Sequence, residues 1–154
     1  MDVDVVVRAT EDDIDWILEL EREAISPPWT HGALLREMFK RDTYFVVAAR
    51  NDVKLGFIIM RIMVDCCELL QIAVKHCARR QGIADLLMCS MLAHARSNAI
   101  NKIFLEVRKS NDAALSLYKK HGFKFVRRRS DYYTNPVEDA LIMSVLIPEN
   151  EKDI

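Results

Sequence analysis

At 154 residues, 51% of them hydrophobic and 29% charged, the chain has the balance of a folded globular protein and the length of one domain, expected to span 1–154. Its formal net charge of -1 argues against a polyanion binder, and no apolar run reaches the roughly 20 residues that a bilayer-spanning helix needs, so neither a nucleic acid nor a membrane is expected as a partner. Cys66, Cys67, Cys77 and Cys89 lack the paired spacings of a zinc site and no secretory signal is visible, which points to free thiols, no metal and a soluble protein of the reducing cytoplasm.

In chain order, Val3, Val5 and Val7 alternate with Asp4, Val6 and Arg8, the pattern of a first strand with one face turned to the core. Thr10 and Asp13 have the spacing of an N-terminal cap, and Ile14, Ile17, Leu18 and Ile25 recur behind them at helical spacing. The segment Ser26-Pro27-Pro28-Trp29-Thr30 breaks that helix, because proline lacks a donor and disfavours helix in the residue before it. Thr30 can cap a short second helix carrying Leu34, Leu35, Met38 and Phe39.

From Thr43 to Val74 β-branched and aromatic residues dominate, with a turn at Asn51-Asp52 and a break near Asp65, which reads as three antiparallel strands. Cys66 and Cys67 then point to opposite faces, so no disulfide joins them. After Gly82 a third helix runs to about Ser97 with Ile83, Leu86, Leu87 and Met91 on one side. A strand with Ile103, Leu105 and Val107 follows, then a fourth helix from Asn111 through Tyr118, stopped by His121-Gly122. Strands around Phe123–Arg127 and Ala140–Leu146 end the series. Arg127-Arg128-Arg129 reads as a solvated charge run. The order implies a mixed α/β sheet, antiparallel early, with a parallel pair in the middle whose splitting leaves a ligand cleft.

The segment Arg79-Arg80-Gln81-Gly82-Ile83-Ala84 lies between the apolar strand Ile72-Ala73-Val74 and the third helix. A strand, a glycine turn and a helix N-terminus together suit a pyrophosphate, since the first helical turn offers unpaired N–H donors at the positive end of the dipole. Gly82 allows close backbone approach, Ala84 keeps the path clear, and Arg79 and Arg80 add charge. Here the chain resembles the GNAT acetyltransferase superfamily, whose acetyl-CoA loop has the form Q/R-x-x-G-x-G/A. That resemblance implies the GNAT fold, a mostly antiparallel sheet with helices on both faces, split at the central parallel pair. It also implies acetyl-CoA as co-substrate, bound by the backbone of Ile72, Ala73 and Val74 and by the loop from Arg79 to Asp85. Lys75-His76-Cys77-Ala78 lacks the acidic or proline residues common before that loop.

Leu105-Glu106-Val107-Arg108-Lys109-Ser110-Asn111, then Ala114 to Tyr118 and Gly122-Phe123, resembles the corresponding string of the ribosomal-protein alanine N-acetyltransferases and related N-terminal acetyltransferases. Asp131-Tyr132-Tyr133 and Glu138-Asp139-Ala140 extend the likeness, which covers Trp29 to Met143. The resemblance assigns Glu106 as general base, Tyr118 as general acid for the CoA thiolate and Asn111 as a CoA contact, and implies as partner a protein N-terminus, a ribosomal protein beginning with alanine among them. Glu68 is a rival base or ammonium contact. Trp29, Tyr132 and Tyr133 are candidate walls for the substrate peptide, the tyrosines in a loop before Pro136. Alternatives are acetylation of a lysine side chain or small amine, and a CoA-binding domain without turnover.

Overall fold

The computed structural model describes residues 1–149; the last five residues of the expected 1–154 span lie outside it. The described residues form β1 Asp4–Arg8, α1 Ile14–Ala24, α2 His31–Phe39, β2 Thr43–Arg50, β3 Val53–Ile62, β4 Cys66–Val74, α3 Ile83–Ser97, β5 Lys102–Arg108, α4 Asp112–Lys120, β6 Lys124–Tyr133 and β7 Glu138–Leu146. Single 3-10 turns at Glu11–Asp13 and His76–Ala78 lead towards α1 and α3. The strands make one sheet in the order β1-β2-β3-β4-β5-β7-β6. The pair β4–β5 is parallel and the other pairs are antiparallel.

Local chemistry sets these boundaries. Thr10 N–H donates to Asp13 Oδ2 (2.8 Å), and Thr30 Oγ1 accepts from Ala33 N–H (3.1 Å), so α1 and α2 start where hydroxyl residues stand. Asn51 (φ 49) and Asp52 (φ 65) are both left-handed, the two-residue turn that matches strand twist and closes β2 onto β3. The central strand β3 is apolar on both faces: Phe57, Ile58, Ile59 and Met60 are fully buried in succession. Alternation sends Ile58 and Met60 under Leu87, Met88 and Met91 of α3, while Phe57 and Ile59 meet Ile17, Leu20 and Leu34 of α1 and α2.

Two expectations are corrected here. Val3, Val5 and Val7 are exposed, and Val6 is the residue of β1 that packs against the core under α3. β1 is an edge strand, with Val5 40% and Val7 46% exposed. The sixth strand also runs to Tyr133 rather than Arg127, so Tyr132 and Tyr133 end a strand instead of standing in a loop. β6 is an edge strand with almost every side chain exposed, so no apolar alternation marks its length.

Candidate active site

β4 ends at Val74 and the chain enters α3 through two left-handed residues, Arg80 (φ 60) and Gly82 (φ 84). A Cβ on Gly82 would meet nothing within 4 Å, so glycine is required there by backbone conformation, and the space before the helix is open. The first intrahelical bond is Leu86 N–H to Gly82 O (3.0 Å). The N–H groups of Ile83, Ala84 and Asp85 therefore lack helical acceptors and face out of the positive end of a 15-residue helix. They border a pocket of about 120 Å³ walled by Val74, Arg79, Arg80 and Gly82 among others. Donors, positive charge and clearance fit a pyrophosphate.

The loop is braced from behind. Arg50 donates to Gln81 Oε1 (3.0 Å) and Gln81 O (3.2 Å) while pairing with Asp4 (2.7 Å), and Gln81 Nε2 donates to Cys77 O (3.0 Å). Arg79 Nε donates to Val74 O (3.4 Å), folding that side chain over the strand end. The Asp85 carboxylate meets Lys120 (2.9 Å) and His121 (2.8 Å), which hold it below the usual carboxylate range and tie α4 to the start of α3.

The parallel register between β4 and β5 runs from Cys66↔Lys102 to Leu69↔Leu105 and stops. At the same level β4 carries a bulge at Leu70, because Leu69 pairs with Met60 and Gln71 with Ile59. Beyond it Gln71–Val74 continue along β3 and Glu106–Arg108 along β7, with no ladder between them. The sheet opens as a wedge. One bank is the free edge of Ile72, Ala73 and Val74, and Glu106 is the first residue of the other.

Ile103, Leu105 and Val107 of β5 pack on the α3 and α4 side. Phe104, Glu106 and Arg108 consequently lie on the other face, where Glu68 stands opposite Phe104 on one side and Arg61 on the other. The Glu106 side chain is 19% exposed and accepts from Arg129 Nη1 (3.1 Å). Burial, and after it the nearby Glu106 charge, raise the Glu68 pKa against the pull of Arg61 and Arg129. Tyr118 is buried against Phe123 (ring centroids 5.9 Å apart) on the opposite face of the sheet, and desolvation pushes its phenol far above the ordinary value. Tyr133, pushed up to about 12 by burial and then by Glu106, lies within electrostatic reach of both Glu106 and Tyr118. Asn111 caps α4 by accepting from Ala114 N–H (3.2 Å).

At the mouth on the Glu106 side, Tyr132 meets Tyr133 edge to face at 5.1 Å. Hydrogen bonding to Glu106, then burial, raises the Tyr132 pKa. Trp29 is half-buried against the α1 and α2 core, its N–H bound to Glu21 Oε2 (3.1 Å). Arg108 joins these two sides. It donates to Ser26 O (3.2 Å), Thr134 O (3.2 Å) and Pro136 O (3.1 Å), with its guanidinium 4.4 Å from the centre of the Tyr133 ring. The arginine run is not simply a solvated face: Arg128 pairs with Asp139 (2.5 Å) and Arg129 with Glu106. These contacts link residues far apart in the chain, and no spacing announces them.

Sequence reasoning passed over Arg50, Arg108, Glu21 and Gln71. Glu21 is fully buried, with Oε1 unpaired, and both side-chain amide atoms of the buried Gln71 are unpaired as well. A glutamate within the amphipathic α1 carries no mark of burial; only its place on the apolar side could have suggested it.

A split seven-stranded sheet with a glycine turn at the head of α3 defines an acyl-CoA N-acyltransferase architecture. The chain belongs to the acetyltransferase (GNAT) family, whose profile matches residues 12–123. It is similar to the ribosomal protein bS18-alanine N-acetyltransferase of Escherichia coli K12, with 30% identity over 137 residues, 88% of this chain and 92% of that one. An N-alpha-acetyltransferase of Sulfurisphaera tokodaii is 32% identical over 145 residues, covering 86% of each. The crystal structure of the ribosomal-protein-S18-alanine N-acetyltransferase from Escherichia coli matches with a TM-score of 0.88 at 25% identity, over 99% of both chains. The expected GNAT fold and family are thereby established. Among the described residues no helix is long and apolar enough to cross a membrane.

Proposed function

We propose that the chain, working as one domain over 1–154 in the cytoplasm, transfers acetyl from acetyl-CoA to the α-amino group at the N-terminus of a protein. The relatives named for ribosomal protein bS18 direct the choice of substrate to a ribosomal protein beginning with alanine. The observation that carries the reading is the wedge, with Glu106 on one face of the sheet and Tyr118 on the other.

Acetyl-CoA would take the wedge as an added strand, its pantetheine arm along Ile72, Ala73 and Val74, its pyrophosphate on the turn from Arg79 to Asp85, and Asn111 as a further contact. A protein α-amine has a pKa of about 7.7–8.0, so much of it is protonated near neutrality and unable to attack. Glu106, directly or through a water, takes a proton from the ammonium, the neutral nitrogen then bonds to the thioester carbon, and the second proton it sheds passes to solvent. Backbone N–H groups near Val74 hold the oxyanion. Collapse breaks the carbon–sulfur bond, and the thiolate takes a proton from Tyr118, whose buried phenol stays protonated across the neutral range. Glu68 is the second carboxylate on the amine's face, a contact for its ammonium form or an auxiliary base. Trp29, Tyr132 and Tyr133 wall the peptide.

The test is acetylation of a panel of peptides with free and blocked α-amines, each also carrying a lysine, read by mass spectrometry. Product at the α-amine of alanine-starting peptides is expected. Acetylation only at lysine or on small amines, or acetyl-CoA binding without turnover, would replace this reading.

A further inference from the structure

Arg129 closes the three-arginine run, and a bulge in the strand pair sets where it points. Between Arg129↔Ala140 and Tyr133↔Glu138, three residues of β6 (Ser130, Asp131 and Tyr132) stand opposite Asp139 alone, and Asp131 is left-handed (φ 51). The Asp139 carboxylate accepts from Asp131 N–H (2.8 Å) and pairs with Arg128 Nε (2.5 Å), so the bulge is clamped at its centre. Arg129, just before it, reaches across β7 to Glu106 (3.1 Å), its guanidinium 5.4 Å from the centre of the Tyr132 ring. The Glu106 side chain is 19% exposed and Arg129 45%, so the carboxylate is covered by a cation that has room to swing into water.

We infer that Arg129 is a specificity-determining latch, which holds the Glu106 carboxylate until a positively charged amine displaces it. The inference rests on the proposed reaction at an α-amine. A ligand that brings its own ammonium replaces one ion pair with another and opens the base at little cost. A neutral ligand has nothing to offer the carboxylate in exchange, so it leaves the Arg129 pair closed and binds outside it. Acetylation turns the ammonium into a neutral amide, so the product loses its hold on Glu106 and Arg129 returns, which favours release.

The test uses CoA-loaded protein, which cannot turn over, and calorimetric titration with an alanine-starting peptide, its Nα-acetylated form and alanine amide. Arg129→Gln is expected to bind the two free amines about two- to fivefold more tightly than the parent, the range a half-exposed ion pair supplies. The acetylated peptide should gain less than the free amines do, and Arg129→Lys should keep the parent's weaker affinity for them. Equal changes for free and acetylated peptides, weaker binding of free amines to Arg129→Gln, or no binding of any amine would overturn the latch. If free amines bind Arg129→Gln more tightly but no peptide is acetylated at its α-amine by the parent, the latch stands and the proposed substrate falls. If α-acetylation proceeds with unaltered affinities, the latch falls alone.

Discussion

Replacing Gly82 by alanine separates folding from acetyl-CoA binding. Gly82 sits at φ 84 with open space around its missing Cβ. The folding cost is therefore the left-handed strain of an L-residue, about 1–2 kcal/mol, which for a chain of this size lowers Tm by about 2–8 °C. The effect on acetyl-CoA is of another kind: the added methyl enters the space where a pyrophosphate must approach the first turn of α3. Loss of that approach is expected to raise the Kd about tenfold or more, or about 1.4 kcal/mol. Gly122 is a matched control. It has φ 88, its nearest Cβ contact is Val145 Cγ2 at 3.5 Å, and it does not line the pocket before α3, though the preceding His121 pairs with Asp85. Gly122→Ala should show a similar fall in Tm with unchanged acetyl-CoA affinity. Calorimetry with acetyl-CoA and thermal melts of both variants measure the two effects, and equal Kd values would refute the cradle.

Glu106→Gln should lower kcat by about 10²–10⁴-fold while stability changes by no more than about 1 kcal/mol, because the pair it breaks is partly exposed; steady-state kinetics beside urea unfolding check both. A Cβ on Gly56 would lie 2.7 Å from Ala73 O, on the bank expected to bind pantetheine. Gly56→Ala should cost about 1–3 kcal/mol and weaken acetyl-CoA binding, whereas a full-strength Kd would detach that bank from the substrate. Burial pushes the Glu21 carboxyl up to about 7 from its ordinary 4.5, outweighing the facing Gln71 and the Trp29 N–H. The raised value favours the folded state below pH 4.5 and the advantage is lost as pH rises through 7, by up to about 3 kcal/mol at 1.36 kcal/mol per pH unit. Glu21→Gln has no such titration, so its stability relative to the parent should climb between about pH 4.5 and 7 and then level off; a difference independent of pH would show that Glu21 ionises normally.

Much of the fold was legible because periodicity and punctuation agreed. Asn51-Asp52 had to turn, Thr30 and Asn111 had to cap, and the strand-to-helix passage through Gly82 had one inexpensive conformation. The positions of Glu106 and Tyr118 within their elements followed from the same patterns, and their proposed roles from the family resemblance. What failed lay at the edges. A strand with one neighbour has little burial contrast, so the inward face of β1 and the length of β6 were misjudged. The insertion of β7 between β5 and β6 is a fact of topology that no local pattern carries.

The wedge itself combines both kinds of information. β4 and β5 run parallel because α3 carries the chain across the sheet between them, and the bulge at Leu70 turns β4 where their common ladder ends. Alternation along β5 then puts Leu105 on the α4 side and Glu106 on the other, one residue past the last parallel pair. Tyr118 comes to the first of these faces on a helix and Glu106 to the second on a strand. A thioester threaded through the opening would thus be approached by an amine from one side of the sheet and release its thiolate towards the other. In the proposed reaction base and acid would then act from opposite faces of the sheet, Glu106 on the incoming amine and Tyr118 on the departing thiolate.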